Sequence, residues 1–131
     1  MDHLDPKTAY QYLRDHPDAV FIDCRSEMEY MFVGHPVGSM MVPWYDGADW
    51  EKNPHFVGQV KKLAGANFEK RPIVLICRSG NRSVDAGEAL EEAGFTDVYN
   101  VLEGFEGHLD EDHHRGSQAG WRFEGLPWEQ C

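Results

Sequence analysis

The stretch of sequence that decides the fold is PIVLICRSGNRS, at residues 72–83. The four apolar residues at positions 73–76 form a continuous run, which is typical of a strand buried on both faces of a parallel sheet. The run ends at Cys77 in a series of small polar and basic residues, and a helical pattern follows over residues 83–93 and ends at Gly94. A strand that leads through a polar loop into a helix is typical of an α/β protein whose functional loop follows the strand.

The segments on both sides of this stretch repeat the alternation of strands and helices. Short apolar runs predict three more strands, at residues 20–23, 40–42 and 97–101. Apolar residues at helical spacing predict two more helices, over residues 6–16 and 54–64, and each opens with a cap residue followed by proline. Strands that alternate with helices indicate a parallel sheet wrapped on both faces, so the predicted fold class is α/β. We find no internal repeat or long low-complexity tract, and we therefore expect one domain over residues 1–131.

Composition and charge exclude several classes of function. The chain has 131 residues, with 12 basic and 23 acidic side chains and a formal net charge of −11, so it lacks the basic surface that nucleic-acid binding requires. No apolar run is long enough to cross a membrane and no secretory signal is present, so we expect a cytoplasmic protein with neither nucleic-acid nor membrane partners. The three cysteines, Cys24, Cys77 and Cys131, are too few and too scattered for a disulfide framework or a paired zinc site.

Cys77 occupies the position at which chemistry is expected, beyond the carboxyl end of a strand. The glycine and small polar residues after it allow the loop to curl so that its backbone amides point inward, and the next helix adds its positive N-terminal end. Amide donors, a helix N-terminus and nearby arginines favour the thiolate form of a cysteine, which is the nucleophile. Arg78 and Arg82 supply positive charge in an acidic chain, which suits a small anionic substrate. The alternatives are a buried structural thiol for Cys77 and a salt bridge or a loop-bracing role for Arg82.

The loop at residues 77–83 resembles the active-site loop of the rhodanese, or thiosulfate sulfurtransferase, superfamily in its single-domain form. Two further segments agree with this family: residues 23–39 resemble its first signature, and Trp121 with residues 125–127 resembles its C-terminal end. The resemblance therefore covers nearly the whole chain. It implies a three-layer α/β/α fold with a five-stranded, mainly parallel sheet.

The resemblance also implies a mechanism of sulfur transfer in two steps. Cys77 attacks the outer sulfur of a small anionic donor such as thiosulfate, becomes a persulfide, and passes the sulfur to a nucleophilic acceptor such as cyanide or a thiol. No metal or organic cofactor is expected, and Arg78 is the candidate for binding the oxyanion of the donor. The backbone amides of the loop, with the Ser79 and Ser83 hydroxyls, would hold the terminal sulfur of the persulfide. The expected substrate-binding residues are Arg78, Ser79, Gly80, Asn81, Arg82 and Ser83.

Loop length separates this prediction from other functions of the same fold. The phosphatases of this fold resemble Cys-(five residues)-Arg, whereas only four residues separate Cys77 from Arg82. One residue fewer removes up to about 3.5 Å of chain, which favours a single sulfur over a tetrahedral phosphate. A phosphatase or arsenate reductase is therefore the less favoured enzyme. A sulfur carrier or regulatory module that binds a protein partner is the second class of function.

Several other residues are expected to have structural roles. Asp23 and Arg25 would brace neighbouring loops, with direct catalysis as the less favoured alternative. His35 would be a structural histidine in a turn, with a place in the pocket wall as the alternative. Alternation along the strand would direct Cys24 away from the Asp23 side chain, and a redox partnership with Cys77 is an alternative for it. Cys131 is expected to be exposed. Core packing, with pocket lining as the alternative, is expected for three aromatic residues of one loop, Trp44, Tyr45 and Trp50.

Residues 108–119 depart from the family pattern, which would reach Trp121 almost directly after residues 104–107. This insertion is rich in acidic residues and histidines. We expect a solvated loop, and a docking surface for a protein that donates or accepts sulfur is the alternative. A metal site is less favoured, because adjacency in sequence does not make ligands converge.

Overall fold

The centre of the molecule is a five-stranded sheet in which every neighbouring pair of strands is parallel. The computed structural model describes all 131 residues. The strands, in chain order, are β1 (Asp2–Leu4), β2 (Val20–Asp23), β3 (His35–Pro36), β4 (Met40–Met41), β5 (Tyr45–Asp46), β6 (Glu51–Lys52), β7 (Ile73–Ile76), β8 (Val98–Val101) and β9 (Trp128–Glu129). The sheet has the order β1-β8-β7-β2-β4, so β7 is its central strand, while β3 with β9 and β5 with β6 form two small antiparallel pairs.

Three α-helices connect the strands: α1 (Pro6–Asp15), α2 (Phe56–Ala64) and α3 (Arg82–Glu92). Helix α1 begins as predicted, because the Asp5 carboxylate accepts a hydrogen bond from the Thr8 amide at 2.8 Å and caps the first turn. Helix α2 begins later than predicted, because the Asn53 side chain accepts a hydrogen bond from the His55 amide at 2.9 Å and forms a turn before the helix. None of the helices combines the length and the apolar character that crossing a bilayer requires.

The central strand is buried on both faces, as its unbroken apolar run predicts. Ile73 and Leu75 pack into a cluster of 15 buried residues that includes side chains of α2 and α3. Val74 and Ile76 point to the opposite face and pack into a cluster of seven buried residues with Ala9 of α1. The sheet therefore lies between two helical layers, and the predicted three-layer α/β/α fold with a five-stranded sheet is confirmed.

Besides the two-residue strands β3, β5, β6 and β9 and a short helical turn at Phe68–Lys70, two parts of the backbone were not predicted from the sequence. Strand β1 pairs with β8 at the edge of the sheet, but its three residues are too few to show a strand period. The other is a π-helical turn at Glu29–Val33, which follows β2 and lies close to the cysteine loop. Such turns are rare and are frequently found at functional sites.

The insertion at residues 108–119 forms a series of turns with internal hydrogen bonds. The Asp110 carboxylate accepts a hydrogen bond from the His114 amide at 2.9 Å, and the Arg115 guanidinium donates to the Gly107 carbonyl at 2.8 Å. No group of histidine, cysteine, aspartate and glutamate side chains in the protein is arranged to hold a metal ion. The roles of the insertion as a solvated loop or as a docking surface stay predictions.

Candidate active site

Cys77 is the first residue after the central strand β7, and its side chain is 1 % exposed. Its sulfur does not lie among apolar groups alone. The Gly80 backbone amide donates a hydrogen bond to Cys77 Sγ at 3.1 Å, and Ser83 Oγ lies 3.2 Å from the same sulfur. The loop between β7 and α3 thus curls around the cysteine, which is the arrangement that the polar loop residues indicate.

The carbonyls at the start of this loop are bound by the turn that follows β8. The Cys77 carbonyl accepts a hydrogen bond from the Phe105 amide at 2.8 Å, and the Arg78 carbonyl accepts one from the Glu106 amide at 2.9 Å. Gly104 makes this close approach feasible, because a Cβ atom at that position would lie 2.3 Å from the Cys77 carbonyl oxygen. The loop is therefore anchored by its carbonyls, and its amides remain for other partners.

Five of these amides donate to no acceptor within the protein. They belong to Arg78, Ser79, Asn81, Arg82 and Ser83. The last two open helix α3, whose 11 residues give its N-terminus a partial positive charge. The Cys77 sulfur already accepts a hydrogen bond from one amide. The free amides beside it, at the helix N-terminus, can bind a negatively charged group that is bonded to this sulfur.

The two arginines of the loop have different environments. The Arg82 guanidinium forms two parallel hydrogen bonds to Glu29, with Nη1–Oε1 at 2.8 Å and Nη2–Oε2 at 2.9 Å. Arg78 is exposed, and its guanidinium forms no hydrogen bond or salt bridge. The Arg82 side chain thus braces the loop, as the alternative interpretation of the sequence stated, and the Arg78 side chain is free to meet a ligand.

Glu29 was not predicted as a site residue, because it lies 53 residues from Arg82 in the chain. Burial by itself raises the pKa of Glu29, but the hydrogen bonds and charge of Arg82, with hydrogen bonds from Ser26, outweigh burial and lower this pKa to about 2. The carboxylate is therefore charged at any physiological pH. It fixes the first turn of α3 to the π-helical turn that carries Glu29.

Ser83 is shared between the cysteine and a second hydrogen-bonded group. Its hydroxyl donates to Asn100 Oδ1, and Asn100 Nδ2 lies 3.1 Å from His3 Nδ1. Asn100 is 1 % exposed on β8, whereas His3 is exposed on β1. These two residues were also missed from the sequence, although a polar side chain in the middle of a buried strand is a signal that could have indicated Asn100.

Asp23 and Arg25 form the buried pair that was expected to brace neighbouring loops. Arg25 Nη2 lies 2.7 Å from Asp23 Oδ2, and both side chains are fully buried. Arg25 also donates to the carbonyl of Gly34, and its guanidinium carbon lies 4.5 Å from the centre of the Phe105 ring. The pair connects the end of β2 to the turns on either side of it.

Cys24 is a fully buried thiol that donates a weak hydrogen bond to the Ile76 carbonyl at 3.4 Å. Burial raises the pKa of Cys24 well above its ordinary value, so this cysteine is held as the neutral thiol.

His35 is buried and stacks on Tyr30 with 3.7 Å between the ring centres, which is a structural position. Cys131 is exposed and free.

Trp50 was predicted to pack in the core, but it lies beside the cysteine loop. It is 49 % exposed, stacks on Tyr45 with ring centres 6.0 Å apart, and has its ring centre 5.2 Å from the guanidinium carbon of Arg82. Trp44 of the same loop does pack in the core. The alternative role, lining the site, therefore fits Trp50 better.

The fold and the site together define a class of protein: an α/β protein with a cysteine in an amide-lined loop at the carboxyl end of its central parallel strand. Residues 5–111 match the family described as the rhodanese-like domain. The chain belongs to the rhodanese-like family.

Two solved structures and one curated relative illustrate this similarity. The crystal structure of Rv0390 from M. tuberculosis has a TM-score of 0.86 and 41 % identity, and the match covers 100 % of this chain and 98 % of that one. The solution structure of a polysulfide-sulfur transferase homodimer from Wolinella succinogenes has a TM-score of 0.65 and 26 % identity, and covers 100 % and 80 % of the two chains. A chloroplastic thiosulfate sulfurtransferase 16 of Arabidopsis thaliana is 30 % identical over 109 residues, which are 82 % of this chain and 77 % of that protein.

Proposed function

We propose that the protein is a sulfurtransferase in which Cys77 carries the transferred sulfur as a persulfide. The observation that carries this proposal is the position of Cys77 Sγ, 3.1 Å from the Gly80 amide in a loop with five further free amides. A persulfide ends in a sulfur that bears negative charge, and inward amides at a helix N-terminus stabilise such charge. The names of the Arabidopsis and Wolinella relatives, which state thiosulfate sulfurtransferase and polysulfide-sulfur transferase, support the same chemistry.

The reaction has two balanced steps. The Cys77 thiolate attacks the outer sulfur of thiosulfate, a sulfur–sulfur bond to Cys77 forms, and the bond between the two sulfurs of the donor breaks as sulfite leaves with the electron pair. A nucleophile such as cyanide or a thiolate then attacks the outer sulfur of the persulfide. The bond to Cys77 breaks and the thiolate is regenerated.

Each loop residue has a proposed part in these steps. Arg78 binds the oxygens of the donor, because its guanidinium is exposed and free. The amides of residues 78–83 hold the outer sulfur, and the Ser83 hydroxyl, 3.2 Å from the cysteine sulfur, supports the charged form of Cys77 when it turns its proton from Asn100 toward that sulfur. Arg82 contributes its backbone amide, while its side chain positions the loop through Glu29.

The geometry disfavours phosphate ester hydrolysis. An arginine that binds a transferred phosphoryl group must direct its guanidinium at that group, but both ends of the Arg82 guanidinium are bonded to Glu29. The short loop, with four residues between Cys77 and Arg82, points the same way. A sulfur carrier that delivers its sulfur to a protein partner is the second candidate, because the amides of residues 78–83 would stabilise a persulfide on Cys77 in a carrier equally well.

Turnover assays distinguish these functions. We expect the purified protein to form thiocyanate from thiosulfate and cyanide and to leave an aryl phosphate intact. A carrier would accept one sulfur from thiosulfate and turn over slowly with cyanide, whereas hydrolysis of the aryl phosphate without thiocyanate formation would contradict the proposal.

A further inference from the structure

Four side chains form a continuous line of hydrogen bonds from the cysteine loop to the surface, which we call the Cys77–His3 chain. Its links are Cys77 Sγ to Ser83 Oγ at 3.2 Å, Ser83 Oγ to Asn100 Oδ1, and Asn100 Nδ2 to His3 Nδ1 at 3.1 Å. The first three members are buried and the last is exposed. Buried groups in such a line have few other partners, so the direction of one hydrogen bond constrains the next.

The donors and acceptors along the chain match the neutral thiol. The Ser83 hydroxyl donates its only proton to Asn100 Oδ1, so its oxygen can only accept from Cys77, and the Cys77 S–H is the donor. Asn100 Nδ2 can only donate, so His3 Nδ1 is the acceptor and carries no proton. Every link then has one donor and one acceptor.

The thiolate and the persulfide reverse this pattern. An ionised Cys77 sulfur can only accept, so the Ser83 hydroxyl must turn its proton toward the sulfur. Ser83 Oγ and Asn100 Oδ1 would then face each other as two acceptors, which is unfavourable for buried groups. Rotation of the Asn100 amide by half a turn restores the match, because Nδ2 then donates to Ser83 Oγ and Oδ1 faces His3.

We propose that Asn100 and His3 are positioning residues that set the direction of the Ser83 hydroxyl and thereby the ionisation of Cys77. In the rotated state Asn100 Oδ1 requires a proton on His3 Nδ1. A neutral His3 supplies this proton by carrying its single ring proton on Nδ1 instead of Nε2, and the proton lost by Cys77 goes to solvent. A doubly protonated His3 cannot accept from Asn100 Nδ2, so it fits only the rotated state. A protonated His3 favours the thiolate, and by reciprocity the thiolate favours protonation of His3.

The coupling between His3 and Cys77 is assigned to the hydrogen-bonded chain and not to the charged groups near His3. The His3 ring forms its single hydrogen bond with Asn100. Glu91 on α3 is bonded to the Met1 amino group at 2.7 Å, and Glu103 after β8 is bonded to His108 at 2.8 Å. The remaining ionisable groups on β1 and on the elements that contact it are Asp2 on β1, Tyr99 on β8, and Lys7, Tyr10, Tyr12, Arg14 and Asp15 on α1. Helix α3, which carries Ser83, adds Arg82, Asp85, Glu88 and Glu92.

The inference rests on the proposed role of Cys77, but its test does not require sulfur transfer. We measure the rate of Cys77 alkylation by iodoacetamide against pH, with the modified cysteine identified by peptide mass. The wild-type profile should contain a pH-dependent component that is lost in His3→Ala. The same substitution at His113, which is exposed and forms no side-chain hydrogen bond, should leave the profile unchanged.

A pair of variants separates hydrogen-bond direction from charge. Lysine at position 3 can only donate and glutamate can only accept, so we expect His3→Lys to be alkylated at Cys77 on the order of tenfold faster than His3→Glu. In a protein that also carries Ser83→Ala, the direction of the hydrogen bond at residue 3 can no longer reach Cys77. The ratio of the two alkylation rates should then fall to the value that the difference in charge at residue 3 produces alone. If Ser83→Ala does not fold, Asn100→Ala breaks the chain at its next link and should reduce the ratio in the same way.

Two results would overturn the inference. One is a ratio between His3→Lys and His3→Glu that persists undiminished when the chain is broken, because charge alone would then explain it. The other is a wild-type pH profile that His3→Ala does not alter. Failure of thiosulfate turnover with the expected alkylation profiles would instead refute the proposed function and leave the Cys77–His3 chain standing.

Discussion

At the scale of single residues, Arg78 and Arg82 show how two similar side chains in one loop take different parts. Arg82 is committed to Glu29, whereas the Arg78 guanidinium is exposed and without a protein partner. Sequence spacing indicates positive charge at both positions. It does not show which arginine forms a salt bridge, because the partner carboxylate, that of Glu29, lies 53 residues from Arg82 in the chain.

Replacement of Arg78 tests its proposed contact with the donor. We expect Arg78→Ala to raise KM for thiosulfate about tenfold and to lower kcat by less, because one charge-assisted hydrogen bond to the bound anion is lost. Lys70→Ala is the matched control, since this exposed lysine precedes β7 at the opposite end of the strand. Steady-state kinetics with varied thiosulfate provide the measurement, and an unchanged KM in Arg78→Ala would refute the contact.

At the scale of elements, the site is assembled by contacts that join the cysteine loop to its neighbours. The Glu29–Arg82 bridge joins the π-helical turn to α3, and the side chains involved are 19 % and 16 % exposed.

We expect Glu29→Gln to lower the free energy of unfolding by about 1 to 2 kcal/mol at neutral pH. We also expect it to slow sulfur transfer, because the loop loses its brace.

The pH dependence of this effect has a definite sign. Because folding lowers the pKa of Glu29 from 4.5 to about 2, the bridge contributes its full stability above pH 4.5 and loses it as the pH falls toward 2. Denaturant unfolding should therefore show the difference between wild type and Glu29→Gln shrinking across that window. Glu27→Gln, an exposed neighbour whose carboxylate has no partner, should match wild type throughout. A difference independent of pH would contradict the account.

Gly104 joins the turn after β8 to the cysteine loop. A Cβ atom there would lie 2.3 Å from the Cys77 carbonyl oxygen, so we expect Gly104→Ala to cost about 1 to 3 kcal/mol of stability and to impair sulfur transfer. Gly125→Ala is the control: this glycine also has a positive φ, +75°, but open space surrounds the added methyl group. Equal losses of stability and activity in the two variants would show that backbone strain alone is responsible.

At the scale of the whole molecule, the sequence predicts the layers but not the contacts between distant segments. The unbroken apolar run of β7 and the alternation of strands and helices predict the α/β fold, because each signal is local. The cysteine loop is predicted for the same reason. Glu29, Asn100 and His3 come from elements remote in the chain, and only the parallel order β1-β8-β7-β2 brings them to the loop.

The most direct test of the account is the mass of the intact protein after treatment with thiosulfate and removal of excess donor. We predict that the wild-type chain gains the mass of one sulfur atom, that cyanide removes this gain, and that Cys77→Ala never acquires it. Cys24→Ala and Cys131→Ala should gain the sulfur as wild type does, because the first thiol is buried and neutral and the second lies outside the loop. A Cys77→Ala protein that still gains sulfur, or a folded wild-type protein that gains none, would contradict the central claim.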